Sequence, residues 1–299
     1  MSALYAALAN EEIEYLVDYD LSQASTFRIG GKADIAVFPK NENELIFAIT
    51  LAKEYNIKFE IIGLGSNVLF SDDGFRGAII FTKKMNSVIL KGETISAMCG
   101  AKLFTVSSMA RDASLVGFEF AHGIPGTVGG AVAMNAGAYG GEISDILIES
   151  RYYDTNTNKI VDLSKEEHQF AYRSSIYSKN KSIICLNATF KLKHGLKDEI
   201  NAKIKNNSDS RIKSQPIEYP SCGSYFKRPE GYFAAKLIDD AGLKGRSVGG
   251  ACVSTKHAGF IINSGGATSK DVLELAQIVK NAVYEQFDVQ LEPEVKYID

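Results

Sequence analysis

Two glycine-rich stretches carry the clearest chemical signal in the sequence. Gly63-Leu-Gly-Ser-Asn67 follows the apolar run Phe59 to Ile62, and small residues in such a turn expose successive backbone N–H groups to a pyrophosphate. The dinucleotide pattern G-x-G-x-x-G wants a third glycine where Val68 stands and a helix immediately afterwards, whereas Asp72-Asp-Gly-Phe-Arg76 reads as another turn. By spacing alone the stretch is therefore either a phosphate loop or a structural turn. The second stretch is the 22 uncharged residues Phe120 to Gly141, seven of them glycine. Its glycines, with Pro125 and Asn135, would break a membrane-spanning helix and instead let backbone amides approach a ligand closely. Two such loops can clamp a large dinucleotide from both sides.

Other chemistries lack support. Four histidines, His122, His168, His194 and His257, include no His-x-x-x-His pair, and Cys99, Cys185, Cys222 and Cys252 stand at least 30 residues apart. That spacing fits neither a zinc site nor a disulfide framework, so buried free thiols and no metal are expected. The 33 basic and 36 acidic side chains leave a formal charge of -3, which offers no cationic field for nucleic acid. The longest apolar run, Ala3 to Ala9, is too short for a membrane span, and no Lys or Arg precedes Arg28 as a secretory signal requires. A cytoplasmic protein with no membrane or nucleic-acid partner is expected.

The 299 residues, 45% hydrophobic and 23% charged, suffice for two or three folded units. Ile35 to Phe38 reads as a strand, and Asn41 to Asn56 as a helix with Leu45, Ile49 and Ala52 on one face and Asn41 with Glu44 as its cap. Strands are expected at Phe59 to Ile62 and Ala78 to Phe81, then two around Gly92 within Val88 to Cys99, followed by a helix over Lys102 to Ala113. A hairpin over Tyr152 to Val161 and a strand over Ile183 to Lys193 follow. Lys197 to Gln215 is polar and ends before Pro216, which suits an exposed linking helix. The remainder reads as a helix at Tyr232 to Ala241, a strand at Gly259 to Ile262, and a helix at Ser269 to Phe287 capped by Thr268 or Ser269. Val289 to Ile298 is strand-like.

Several longer motifs, in order, identify a family. They are Thr26-Phe-Arg-Ile-Gly-Gly31, Gly63-Leu-Gly-Ser-Asn-Val-Leu69, Gly123-Ile-Pro-Gly-Thr-Val-Gly-Gly130, Met134-Asn-Ala-Gly-Ala-Tyr-Gly140 and Phe170-Ala-Tyr-Arg-Ser-Ser-Ile-Tyr177. Cys222-Gly-Ser-Tyr-Phe-Lys227, the run Ala234 to Gly245 and Leu291-Glu-Pro-Glu-Val295 follow. Almost end to end the chain resembles the UDP-N-acetylenolpyruvoylglucosamine reductase (MurB) family of flavoproteins. The resemblance implies an α+β fold: a two-lobed FAD-binding domain of the vanillyl-alcohol-oxidase (PCMH) type, followed by an α+β substrate-binding domain. The corresponding division is 1–83 and 84–196 for the two lobes, 197–215 for the linking helix and 216–299 for the substrate domain. Family members take a hydride from NADPH onto non-covalently bound FAD, release NADP, and pass the hydride to the enolpyruvyl group of UDP-N-acetylglucosamine enolpyruvate. The product is UDP-N-acetylmuramate, a precursor of bacterial peptidoglycan. A monomer of the smaller family type, without the substrate-capping tyrosine loop, is expected.

Carried over residue by residue, Ser224 matches the family's proton donor, while Arg173 and Glu294 match groups that bind the substrate carboxylate and stabilise the enolate. Taken by type alone, these are a turn serine, a surface or paired arginine and an exposed strand carboxylate. An arginine suits the role because its planar fork pairs two carboxylate oxygens and stays charged. A serine needs help to give up a proton, and Glu294 would supply it either as a protonated acid or by polarising Ser224 or a water. The resemblance gives the FAD contacts to Gly63, Leu64, Gly65, Ser66, Asn67, Val68, Gly123, Ile124, Pro125, Gly126, Gly129, Gly130, Asn135 and Gly137. Tyr139, Tyr172, Lys227, Arg228, Lys256 and His257 are candidates for the sugar nucleotide or the nicotinamide cofactor. Some family members carry Asn where Arg228 stands, which would replace an amide contact with a charged one.

Two rival readings share the fold. An oxidase that hands electrons from FAD to oxygen has no need of Arg173, Ser224 and Glu294 together. A non-catalytic nucleotide-sugar binding protein has no need of Ser224.

Overall fold

The expected helix around Leu45 forms over Glu42–Glu54, and its start is chemically defined. The Asn41 side-chain oxygen accepts the Glu44 N–H at 3.0 Å, while the Glu44 carboxylate accepts the Lys40 N–H at 2.8 Å. In this computed structural model, which describes residues 2–299, the chain is α+β and divides into two units that interleave along the sequence. The first comprises Met1–Val17, Ile35–Leu64 and Gly77–Arg211; the second comprises Asp18–Asp34, Gly65–Arg76 and Ile212–Asp299.

In the first unit, Phe59–Ile62 pairs in parallel with Phe75–Phe81 from Phe59↔Ala78 to Ile62↔Phe81. A separate five-stranded antiparallel sheet has the order Lys159–Ser164, Leu147–Asp154, Ile183–Lys191, Thr94–Met98, Val88–Lys91. Its core joins Leu45 and Ile49 of the capped helix to Val106 and Ala110 of the helix Leu103–Asp112 and to Leu186, Ala188 and Phe190 of the central strand. That strand is buried along nearly its whole length, which is why Ile183-Ile-Cys-Leu186 is a continuous apolar run rather than an alternating one.

The second unit holds an antiparallel sheet in the order Ser221–Ser224, Phe260–Asn263, Ala251–Val253, Ser247–Val248. The helix Ser269–Phe287 buries Val272, Leu275, Ala276, Val279 and Val283, one stripe at helical spacing. Thr268 is its cap, accepting the Asp271 N–H at 3.1 Å, and the Asp72 carboxylate accepts the Ser269 N–H at 2.8 Å and the Lys270 N–H at 3.2 Å. A carboxylate at this end also meets the positive end of the helix dipole. Leu275 and Val272 share a core with Phe27, Ile29, Leu69, Tyr225 and Leu291.

Some elements differ from expectation for local reasons. Val289 to Ile298 is not one strand, because Pro293 has no N–H to continue a ladder. It makes a single bridge to Phe226, and regular pairing begins only at Lys296–Ile298, parallel to Val68–Phe70. The helix expected from Tyr232 starts at Ala234. The helix Ser2–Asn10 and the strand Tyr15–Asp20 were not expected; the strand exposes Leu16 and Val17 in succession and so lacks an alternating signature. Among the described residues no helix is long and apolar enough to cross a membrane, and no cluster of His, Cys, Asp and Glu could hold a metal ion.

Candidate active site

In the first unit Arg173 sits at the tip of a tight turn. Ala171 and Ser174 exchange backbone hydrogen bonds at 3.0 and 3.1 Å, leaving Tyr172 and Arg173 as the two loop residues. Arg173 has φ +53°, a conformation that a bulky residue adopts only when its surroundings impose it. Those surroundings are visible. The Arg173 guanidinium donates to the Gly137 carbonyl at 3.1 Å and lies 5.1 Å from the Tyr172 ring centre. The buried Asn135 side chain donates to the Ala171 carbonyl at 3.3 Å and to the Glu142 carboxylate at 2.9 Å, and its oxygen accepts the Ser144 N–H at 2.9 Å. Ser175, also buried, donates its hydroxyl to the Ala133 carbonyl at 2.8 Å. Asn135 and Tyr139 are themselves at φ +43° and +52°, so the uncharged stretch and the arginine turn are held by one another in a strained arrangement.

The glycine stretches meet within this unit. A Cβ on Gly63 would lie 2.3 Å from the Thr127 hydroxyl oxygen, so only glycine lets the first turn close on the second. Thr127 in turn accepts the Gly130 N–H at 3.4 Å. Gly123, Pro125 and Gly130 are exposed, and a Cβ on Gly130 would meet nothing nearer than Thr127 at 3.6 Å. From Phe120 to Gly141 the backbone has no charged side chain of its own, with the Arg211 guanidinium beside Gly123; this is a surface that a pyrophosphate and an apolar ring system can approach closely, and it fits FAD. Gly63 and Leu64 belong to this unit and Gly65 to Val68 to the other.

In the second unit Ser224 ends the strand Ser221–Ser224 opposite Phe260, after a register shift centred on Cys222 and Gly223. Gly223 has φ +78° and nothing within 4 Å of where its Cβ would be, so it is backbone conformation, not space, that asks for glycine there. Beyond Ser224, the carbonyl of Tyr225 accepts the Glu294 N–H at 2.8 Å and Lys227 donates its N–H to the Glu292 carbonyl at 2.8 Å. The Glu294 carbonyl accepts from the Asn67 side chain at 3.1 Å. Ser224 and Glu294 are thus carried on neighbouring extended segments, the serine exposed and the glutamate half-buried.

The remaining expected residues divide in the same way. Tyr139 and Tyr172 are exposed in the first unit, and the Arg211 guanidinium lies 5.9 Å from the Tyr139 ring centre. In the second, Lys227 is ion-paired with Glu292, and Lys256 donates to the Ile212 carbonyl at 2.8 Å with the Glu218 carboxylate at 3.6 Å. Arg228 lies over the Phe233 ring at 4.6 Å. His257 accepts the Gly259 N–H at Nδ1, 3.2 Å, which leaves its proton on Nε2, and burial pushes its pKa below the usual histidine value. Of the four cysteines Cys99, Cys185 and Cys222 are buried and Cys252 is half-buried, all as free thiols; burial pushes Cys99 up to about 12 and Cys222 up to about 11, which makes them poor nucleophiles. Glu142 and Ser175, which brace the Arg173 turn, were not singled out by sequence. Ser175 stands within the Phe170 to Tyr177 motif, but a serine there declares no role by type, and only the Asn135 contact network reveals Glu142.

Sequence and structural likenesses to known proteins agree with one another. A family model described as UDP-N-acetylenolpyruvoylglucosamine reductase, C-terminal domain, matches residues 215–298, and one described as FAD binding domain matches residues 33–164. The chain is 49% identical over 289 residues to the UDP-N-acetylenolpyruvoylglucosamine reductase of Clostridium perfringens (strain SM101 / Type A), covering 97% of this chain and 94% of that protein. It is also 49% identical over 293 residues to the protein of that name from Caldicellulosiruptor bescii, covering 97% and 93%. Among solved structures, the UDP-N-acetylenolpyruvylglucosamine reductase (MurB) of Thermus caldophilus superposes with a TM-score of 0.81 at 32% identity, over 96% of this chain and 99% of that one. A more distant likeness, TM-score 0.50 at 18% identity over 65% of this chain and 44% of that one, is to Phl p 4.0202, described as a glucose dehydrogenase, and shows the fold alone.

Proposed function

Because the chain belongs to the UDP-N-acetylenolpyruvoylglucosamine reductase family, we propose that it reduces UDP-N-acetylglucosamine enolpyruvate to UDP-N-acetylmuramate with NADPH as co-substrate. It is an FAD-dependent oxidoreductase. The setting we assign to it is peptidoglycan precursor synthesis in a bacterial cytoplasm, as a monomer with non-covalent FAD. The observation that carries this reading is the full-length likeness to named reductases, and it is supported by Arg173, Ser224 and Glu294 standing within the sequence motifs that carry the family resemblance.

FAD, when bound, supplies a two-electron carrier that accepts hydride from one substrate and gives it to another. The residues assigned to hold it are Gly63 to Val68, Gly123 to Gly130, Asn135 and Gly137. The labour divides by sequence as 1–83 and 84–196 for the cofactor and 216–299 for the sugar nucleotide, with 197–215 linking them; this is a division of roles, not of compactness. Arg173 pairs the carboxylate of the enolpyruvyl group, and its fixed positive charge favours the enolate that builds up as hydride adds to the neighbouring carbon. Ser224 delivers the proton to the carbon next to that carboxylate. A hydroxyl is a weak acid, so the transfer depends on the enolate's basicity and on Glu294, which either carries a proton or polarises Ser224 or a water. Tyr139, Tyr172, Lys227, Arg228, Lys256 and His257 contribute to binding of the diphosphate-linked sugar or of NADPH, the cations meeting phosphate charge.

The visible spectrum of the purified protein, recorded without oxygen, tests this reading. Loss of the flavin band on adding NADPH and its return on adding UDP-N-acetylglucosamine enolpyruvate are expected. A band that is lost and does not return with that substrate would overturn the substrate assignment.

A further inference from the structure

Three buried polar side chains outside the proposed chemistry converge below the Arg173 turn. His168, fully buried, ends the short 3-10 helix Glu166–His168, and Tyr177, 8% exposed, lies in the short helix Ile176–Lys179. They bracket the turn in sequence and reach one hydroxyl: Ser150 Oγ is 2.7 Å from His168 Nε2 and 2.6 Å from the Tyr177 oxygen. Ser150 is 2% exposed and sits on Leu147–Asp154, a strand with a partner on each side. The segment carrying Arg173 is therefore closed at its base on a single side chain of a rigid element.

The direction of each bond follows from what the atoms can do. His168 Nδ1 is 2.7 Å from the Ser164 carbonyl, which can only accept, so Nδ1 carries the proton. In the neutral ring Nε2 then accepts, so the Ser150 hydroxyl donates to it, and the Tyr177 hydroxyl is left to donate to Ser150. Every member of the chain Tyr177 to Ser150 to His168 to the Ser164 carbonyl is satisfied. A buried polar network that were only partly satisfied would cost more than an apolar filling of the same space. Phe170 already stacks on the His168 ring at 4.9 Å and 9°, so apolar packing alone could fill this region. What the hydrogen bonds add is direction.

We infer that Ser150, His168 and Tyr177 are positioning residues for Arg173, a clamp that fixes where the two ends of its turn leave the sheet. The inference rests on the assignment of Arg173 to the substrate carboxylate. The upper part of the turn is held by Asn135 at the Ala171 carbonyl and by Ser175 at the Ala133 carbonyl; the clamp supplies the base, and together they hold a side chain at φ +53°. A carboxylate-binding fork displaced by a fraction of an ångström loses its two-point geometry, and misplacement on the order of 1 Å costs up to about 100-fold in rate.

The test is a double-mutant cycle on the FAD-loaded enzyme. Ser150→Ala and Tyr177→Phe are each made alone and in an Arg173→Lys background, with kcat and KM measured for UDP-N-acetylglucosamine enolpyruvate. The rate of loss of the flavin band with NADPH, FAD content and the melting temperature are followed in parallel. The expected result is a loss of about 10- to 100-fold in kcat/KM for Ser150→Ala, with NADPH reaction and FAD content unchanged, and little or no further loss when Ser150→Ala is added to Arg173→Lys. Tyr177→Phe, which keeps the ring, is expected to lose less and to show the same non-additivity, and it carries the test if Ser150→Ala does not fold. Equal losses in both backgrounds, or either variant turning over as fast as wild type while Arg173→Lys is impaired, would overturn the clamp alone. An Arg173→Lys enzyme as fast as wild type would instead overturn the assignment of Arg173, and the purpose of the clamp with it.

Discussion

The Glu294 N–H donates to the Tyr225 carbonyl at 2.8 Å, which sets the glutamate on the segment alongside the one that bears Ser224. That backbone bond fixes the pair in register, with neighbouring extended segments lying about 4.7–4.9 Å apart. Either side chain can therefore be altered without dismantling the pairing. Ser224→Ala is expected to lower the rate of enolpyruvyl reduction by about 100-fold or more while leaving the NADPH reaction near wild type. Single-turnover measurement of each half-reaction separates the two. Equal slowing of both would place Ser224 outside the proton transfer.

Gly223 and Gly92 make a matched pair for testing whether backbone strain at Gly223 is linked to function. Both have positive φ, +78° and +58°, and at neither would a Cβ meet another atom within 4 Å. Gly→Ala at either position is expected to cost about 1–2 kcal/mol of stability, the penalty of a left-handed conformation for a residue with a side chain. Only Gly223→Ala is expected to slow turnover as well, because relaxing its φ would rotate Ser224. Urea denaturation alongside steady-state kinetics would read both effects, and similar activity in the two variants would count against the link.

Gly63→Ala is expected to weaken FAD retention. Its methyl would sit 2.3 Å from the Thr127 oxygen, forcing the two glycine stretches apart. Gly130→Ala, whose methyl has its nearest neighbour at 3.6 Å, leaves the fold intact, and any effect it has on FAD would report direct crowding of the cofactor. Flavin content after gel filtration distinguishes them; full retention by Gly63→Ala would show that the closure at Thr127 is not needed.

Acid is expected to destabilise the protein well above the range where carboxylates titrate. Burial holds the rings of His122, His168 and His257 below their ordinary value of 6.5. As pH falls from 7.5 to 5.5 the unfolded chain therefore takes up protons that the folded chain does not, and stability declines. Asp20 and Asp271 lie below their ordinary 3.8 because of hydrogen bonds, from the Ser22 hydroxyl first for Asp20 and from the Thr268 N–H first for Asp271. Both stay ionised in either state over that interval; their contribution is present above about 3.8 and is lost only as pH falls through the lower folded values. A urea midpoint at pH 5.5 equal to or above that at pH 7.5 would contradict the assignment to the histidines.

What could be read from the chain was what short-range chemistry decides. Asn41 with Glu44 announces one helix start, and Thr268 or Ser269 another that the structure resolves to Thr268, because capping donors and acceptors lie within three residues of one another. The apolar stripe from Val272 to Val283 announces a buried face for the same reason. The Asp72 carboxylate at the start of that helix, 197 residues before Ser269 in sequence, has no such signature. Nor has Glu142, whose role depends on where Asn135 points. Arg173 was reachable only through family likeness: its positive φ is imposed by Asn135, Gly137 and Ser175, and nothing in Ala171-Tyr-Arg-Ser174 declares it.

The interleaving of the two units bears on how the gene can be divided. Phe27, Ile29 and Leu69 belong to the same apolar core as Leu237, Leu275 and Val279, yet they are encoded more than a hundred residues upstream of Ile212, where the long terminal segment of that unit starts. A polypeptide expressed from Ile212 onward would expose the surface those three side chains cover and lack the Asp72 cap of its longest helix. Aggregation or partial order is the expected fate of such a fragment, while co-expression with a second polypeptide carrying residues 1–211 restores the missing pieces by association, as in split-protein complementation.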